Sequence, residues 1–177
     1  MEKDRLKILV IDVGGTHVKV LATGYKKLVE IPSGPKMTAK KMVAAVRQAT
    51  AGWKYDAVSI GYPGPVIHGH PVSEPHNLGG GGVGFDYQKA FGRPVKIIND
   101  AAMQALGSYQ GGKMLFLGLG TGLGSTMIVA GIVEPMECLR SCGCRGVADS
   151  GGAVESAHHA VVGSSVSGAG GGTLGWR

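Results

Sequence analysis

Long apolar runs are missing from this chain of 177 residues. None approaches the ~18–20 residues that a helix needs to cross a bilayer, so no membrane span is expected. Charged residues make up 17% and aromatics 6%, against 44% hydrophobic residues, a balance that excludes a disordered polyelectrolyte and fits a folded domain. Cysteine is scarce: Cys138, Cys142 and Cys144 are an odd, crowded set, which excludes the disulfide framework of a small secreted protein. A structural zinc would need a fourth ligand at usable spacing, so free thiols are the expected state. The start, Met1-Glu2-Lys3-Asp4-Arg5, is mixed in charge and leads into no long apolar segment, so no secretory leader and a cytoplasmic location are expected. The net charge is +6, but the cations are scattered singly or in pairs rather than gathered on one stretch. That pattern reads as solvated surface and gives no nucleic-acid face.

The composition changes near Glu137. Residues 137–177 contain no lysine, all the cysteines and mostly Gly, Ser, Ala and Val, ending in a stretch with no bulk to bury. Little fixed structure is expected beyond about residue 140. The reading is therefore a first lobe over 1–112, the start of a second lobe over 113–137, and a Gly/Ser/Ala-rich tail over 138–177. In the first lobe, Leu6–Val13 and His17–Thr23 read as strands of a hairpin around a Gly-Gly turn, with Lys27–Ile31 a third strand. Thr38 caps a helix running to about Ala51, with Met42, Val43 and Val46 on one face. Ala57–Ile60 is a short buried strand stopped by Gly61-Tyr-Pro-Gly-Pro, and residues 66–73 form a small excursion. His76–Gly84 is an open loop, Val95–Ile98 a strand and Asp100–Tyr109 a helix. Met114–Leu119, Ser125–Ala130 and Ile132–Val133 are further strands. Antiparallel strands followed by strand–helix alternation predict a mixed α/β sheet.

Three segments carry groups suited to phosphate chemistry. In Asp12-Val-Gly-Gly-Thr16 two glycines let backbone N–H groups approach a polyanion, Thr16 adds a hydroxyl, and Asp12 can hold Mg²⁺ through water. The bland reading is a hairpin with a capping Asp. In Gly118-Leu-Gly-Thr-Gly-Leu-Gly124 four glycines weaken a strand unless close backbone approach is needed. A nicotinamide fingerprint is the rival there, but it must open a helix, and Ser125–Val133 reads as strand. In Ile97-Ile-Asn-Asp100 a carboxylate stands where a strand gives way to a helix, either capping that helix or acting as a general base. His68, His70 and His76 lack the spacing of metal ligands and read as loop surface.

Asp12-Val-Gly-Gly-Thr16, Gly61-Tyr-Pro-Gly64, Asn99-Asp100 and Gly120-Thr-Gly-Leu-Gly124 stand in the order found in the ROK family of bacterial sugar kinases. Over about residues 6–137 the chain resembles that family, most of all its polyphosphate glucokinase branch. The resemblance implies an actin-like ATPase (ribonuclease H-like) fold, here an N-terminal lobe with an incomplete second one. It implies phosphoryl transfer from ATP or polyphosphate to the 6-hydroxyl of a hexose, glucose being the expected one, with Mg²⁺. Asp12, Gly14, Gly15 and Thr16 then form one phosphate grip, and Gly120, Thr121, Gly122 and Gly124 the other. Asp100 takes the proton of the sugar hydroxyl, while Asn77, Asn99 and Glu137 hold the sugar.

The pattern departs from the family after Glu137, where Cys138-Leu-Arg-Ser141 replaces a Gly-His that binds sugar. Gly79–Gly82 also lacks the tryptophan and proline often found beside the sugar loop. A shifted reading frame or a truncated end is the expected cause, with dimerisation through the surface left uncovered. The alternative function is a non-catalytic phosphate-binding remnant of such a kinase. A sugar-responsive repressor would need a helix-turn-helix ahead of the first strand, where only about five residues stand.

Overall fold

In the computed structural model, residues 6–119, 123–134 and 160–163 are described. The chain divides after Met103 into two compact units. The first is built on a five-stranded sheet of order β3-β2-β1-β4-β7. Here β1 is Ile8–Val13, β2 His17–Ala22, β3 Val29–Pro32, β4 Ala57–Tyr62 and β7 Val95–Asn99. The intervening β5 (Val66–Ile67) and β6 (His70–Pro71) form a two-stranded excursion, as the sequence suggests. β1, β2 and β3 pair antiparallel, whereas β4 joins β1 and β7 joins β4 in parallel, which is the expected mixed sheet.

Strict alternation decides which face is covered. Leu9, Ile11 and Val13 of β1 stand opposite Ala22, Val20 and Val18 of β2, and all six are buried. Val58, Ile60, Tyr62 and Ile97 continue that face across β4 and β7. Helix α1, Ala39–Ala49, lays Ala39, Met42, Val43 and Val46 on it, the i, i+3, i+4, i+7 stripe of an amphipathic helix. The Thr38 hydroxyl caps α1 by accepting from the Lys41 N–H at 3.3 Å.

A second helix on this face, α2 (Tyr87–Phe91), is not apparent from periodicity because five residues span little more than one turn. Its ends are nevertheless marked. Asp86 accepts from the Lys89 N–H at 2.8 Å, and Gly92 closes the helix at φ 66°. Tyr87 and Phe91 are its buried contribution to the core.

Helix α3, Asp100–Ser108, leads out of the first unit. In the second unit β8 (Lys113–Leu119), β9 (Leu123–Val129) and β10 (Ile132–Glu134) form an antiparallel meander. Its Ala130–Gly131 turn has positive φ at both residues, as a tight hairpin requires. Tyr109 donates to the Gly112 carbonyl at 2.9 Å and accepts from the Gly131 N–H at 2.8 Å, tying the entry to β8 to the turn between β9 and β10. One further strand, β11 (Ala160–Gly163), pairs antiparallel with β8. It lies within the stretch where the composition suggests little fixed structure; the remainder of 135–177 falls outside the described residues.

Ile11, fully buried at the centre of the sheet, sets a direct test of this core. Ile11→Ala should cost about 2–5 kcal/mol in urea denaturation. Lys19→Ala, on an exposed position of β2, should cost no more than about 0.5 kcal/mol.

Candidate active site

Parallel pairing brings three strand ends to one edge of the first unit. Asp12 stands opposite Gly61, Gly61 opposite Ile98, and Tyr62 opposite Asn99. These are carboxyl ends of neighbouring parallel strands, where open α/β sheets gather ligands. Asp12 belongs to the face of β1 that α1 does not cover, since its neighbours Ile11 and Val13 are buried beneath the helix. A Cβ at Gly61 would come within 3.4 Å of the Asp100 Cα and 2.9 Å of the Met103 sulfur. Glycine at that position lets the first turn of α3 settle close to the sheet.

Asn99, rather than Asp100, occupies the capping position of α3. Its Oδ1 accepts from the Ala102 N–H at 3.2 Å, the bond of an N-cap to the third helical residue. Its Nδ2 donates to the Gly64 carbonyl at 3.1 Å, fastening the Gly61–Gly64 turn to the helix start. Asp100 is the first helical residue, and its Oδ1 accepts from the Ala101 N–H at 2.8 Å. Burial is the largest influence on its carboxyl and pushes it above the ordinary carboxylate range. The Ala101 N–H opposes that shift, while the negative charge of Asp12 adds to it. The two acidic residues singled out from sequence thus feel each other across this edge.

The Asp12–Thr16 turn is held from outside the hairpin. The Ser33 hydroxyl donates to the Gly14 carbonyl at 2.6 Å, and the Ser33 N–H donates to the Thr16 carbonyl at 2.8 Å. Gly14 itself donates to the His17 carbonyl at 3.0 Å, and a Cβ on it would meet that same oxygen at 2.7 Å. No larger residue fits this turn without moving the backbone. A Cβ on Gly15 would stand 3.2 Å from the Asn77 Cβ. The phosphate-loop candidate and the sugar-loop candidate are therefore neighbours, which 60 residues of intervening sequence conceal.

Asn77 lies on an exposed loop that the sequence describes only as glycine-rich and open. The structure ties it down. Glu74 accepts from the Gly82 N–H through Oε2 and from the Val83 N–H through Oε1, each at 3.0 Å. Tyr62 donates its hydroxyl to the Ser73 carbonyl at 3.0 Å, and a Cβ on Gly82 would fall 2.6 Å from that hydroxyl. Burial, then the charge of Glu74, pushes Tyr62 up to about 12, so it stays a neutral donor across ordinary pH. Gly79 donates to the Met37 carbonyl at 3.0 Å, and a Cβ on it would fall 2.9 Å from the Pro35 carbonyl oxygen, anchoring the loop to the segment that leads into α1. Ser33, Glu74 and Tyr62 escape sequence reasoning because their partners are backbone groups, which leave no side-chain pattern to read. The one local sign is that Glu74 precedes four consecutive glycines, whose N–H groups need an acceptor.

In the second unit Gly118 and Gly124 face each other across β8 and β9. The chain continues as strand after Gly124, which removes the dinucleotide reading, since that fingerprint must open a helix. Gly120, Thr121 and Gly122 lie outside the described residues, as do Glu137, Cys138, Cys142 and Cys144. Among the described residues no group of three or more His, Cys, Asp or Glu could hold a metal, and no helix is long and apolar enough to cross a membrane.

Relatives and solved structures agree with this architecture. The chain is 29% identical to a glucokinase from Pyrobaculum calidifontis, over 80% of this chain and 54% of that protein. The ROK hexokinase from Thermus thermophilus superposes with a TM-score of 0.57 at 28% identity, covering 75% of this chain and 50% of that one. A ROK family protein from Streptococcus pneumoniae, solved in complex with sucrose, gives a TM-score of 0.58 at 22% identity, over 73% and 48%. The chain spans about half the length of the relatives it matches. The ROK family pattern itself matches residues 8–148, continuing beyond Glu137. With that match over most of its length and the actin-like mixed sheet beneath it, the chain belongs to the ROK family.

Proposed function

We propose that the chain carries the phosphate- and sugar-binding half of a glucokinase-like phosphotransferase, acting in the cytoplasm on a hexose, glucose first among them. The observation that carries this reading is Asp100. It is a partly buried carboxyl held above its usual range beside Asp12, on a helix whose cap is supplied by its neighbour Asn99. A carboxylate kept basic in this way suits removal of a proton from a sugar hydroxyl. As the 6-oxygen forms its bond to the terminal phosphorus, the bridging P–O bond breaks and the donor leaves shortened by one phosphate. The hydroxyl proton passes to Asp100.

The amide of Asn99 spends one N–H on Gly64 and one lone pair on Ala102, and it also hydrogen-bonds the Asp100 carboxyl, which leaves an acceptor site for a sugar hydroxyl. Asn77, against Gly15, supplies a second sugar contact beside the phosphate turn. Asp12, Gly14, Gly15 and Thr16 grip the donor, ATP or polyphosphate. By sequence resemblance Gly120, Thr121, Gly122 and Gly124 add the second grip and Glu137 a further sugar contact. Mg²⁺ keeps several waters and takes one or two carboxylates with phosphate oxygens, so Asp12 fits it without a larger ligand cluster. It would neutralise charge on the transferred phosphate.

Formation of hexose 6-phosphate, followed by a coupled assay with ATP and with polyphosphate, tests the reading. Donor binding without turnover would instead indicate a phosphate-binding remnant. Asp100→Asn should lower turnover about 10²–10⁴-fold while sparing donor binding. The same variant should unfold at higher temperature than the parent at pH 7, because a buried carboxyl with a raised pKa costs stability once it is charged. That advantage should shrink as pH falls through the raised pKa and vanish below the ordinary carboxylate range, where both folded and unfolded parent are protonated. A mere capping residue would show neither effect, since Asn caps as well as Asp.

Glu74→Gln leaves one acceptor oxygen for two N–H groups. It should raise the sugar KM several-fold, in keeping with about 1 kcal/mol for a lost hydrogen bond, with a smaller change in kcat. Steady-state kinetics against sugar and donor separately check this.

A further inference from the structure

The cations that look scattered in sequence are gathered at the other end of the first sheet. Lys7 precedes β1, Arg47 sits in the last turn of α1, Lys54 lies between α1 and β4, and Arg93 precedes β7. All four line one open cavity of about 580 Å³. This cavity lies at the amino ends of the parallel strands. Asp12, at the carboxyl end of β1, is about 16 Å away along the strand from Lys7.

Among the described residues that line the cavity, the positive charge is largely unanswered. Asp56 is the carboxylate lining the cavity, and its Oδ2 accepts from the Lys7 backbone N–H at 2.9 Å, holding the start of β1 to that of β4. Four cations against one carboxylate give a local excess of three positive charges. Arg47 spends one N–H on the Ala90 carbonyl at 3.1 Å, which fixes the guanidinium at the cavity wall with other N–H groups to offer. The remaining wall is partly apolar: Trp53 and Tyr55 are half-buried, and Phe91 is buried. Trp53 is itself held in place by stacking on Tyr25, with ring centroids 4.4 Å apart.

We propose that this cavity is a second binding site, separate from the Asp100 edge, for a small organic phosphate. A phosphate of two negative charges matches the cationic excess, since Arg and Lys make their strongest hydrogen bonds to such oxygens. The volume falls in the range of small-molecule sites, well above the size of inorganic phosphate, and Trp53 and Tyr55 offer a flat wall to a ring. The site stands on its own residues and does not depend on the proposed phosphotransfer.

Trp53 reports on it directly. The chain has two tryptophans, so Trp176→Phe leaves Trp53 as the only one. Titration of the full-length Trp176→Phe chain with ribose 5-phosphate and with pyrophosphate should change its fluorescence saturably, and added salt should weaken both. Lys54→Ala with Arg93→Ala, both exposed and away from the core, should weaken binding at least about tenfold. Thr16→Ala, in the phosphate turn at the other end, should leave it unchanged. Absence of saturable binding overturns the proposal, and so does binding that the double substitution leaves intact or that Thr16→Ala removes. Saturation by pyrophosphate with none by ribose 5-phosphate overturns the assignment to an organic phosphate.

Discussion

The parallel pairing of β4 between β1 and β7 fixes where every group at the candidate site can lie. With Asp12 level with Gly61, and Gly61 level with Ile98, the three strands end together, and the turns that follow them open on the same edge. A slip of one residue in either pairing would send Asp12 to the covered face or carry Asn99 past Tyr62. Register is held by the buried face, where Leu9, Ile11 and Val13 must meet α1 together with Val58 and Ile60. Core packing on one face of the sheet thus sets the level at which Asp12, Gly61 and Ile98 stand together.

Three fastenings turn that edge into a fixed arrangement. Asn99 joins the Gly61–Gly64 turn to the start of α3 and leaves Asp100 outside the capping role. Ser33 grips the Asp12–Thr16 turn from just past the end of β3, and Glu74 with Tyr62 closes the glycine-rich loop that carries Asn77. Each fastening ends on a backbone N–H or carbonyl, and the glycines between them allow approaches that a Cβ would prevent at Gly14, Gly79 and Gly82. A pre-organised edge of this kind spends its conformational entropy on folding rather than on binding.

Much of this was legible in the residues themselves. The hairpin, the Thr38-capped helix and the strands around Gly61 follow from alternation, capping and breaker residues, because those signals act within a few positions. The order of the glycine segments and Asn99-Asp100 is by itself enough to indicate the family. What sequence could not supply is proximity. Glu74 and Ser33 act on backbone groups, which leave no side-chain pattern to read. The helix starts at Asp100, as its reading over Asp100–Tyr109 has it, so the capping role falls to Asn99 and not to Asp100. Lys7, Arg47, Lys54 and Arg93 read as solvated surface because they sit on four separate segments, and only the fold collects them. α2 was hidden by its length.

Asp12 and Asp100 share one edge, where burial and the charge of Asp12 raise the Asp100 carboxyl above its ordinary value. Titrating the Asp100 side-chain carboxyl by carbon NMR, in the parent chain and in Asp12→Asn, measures this without any assay of turnover. The parent should titrate above the ordinary 3.8, and Asp12→Asn should move that pKa down yet leave it raised, because burial is the larger cause. An Asp100 carboxyl that titrates at its ordinary value, or that ignores the loss of the Asp12 charge, would contradict this arrangement.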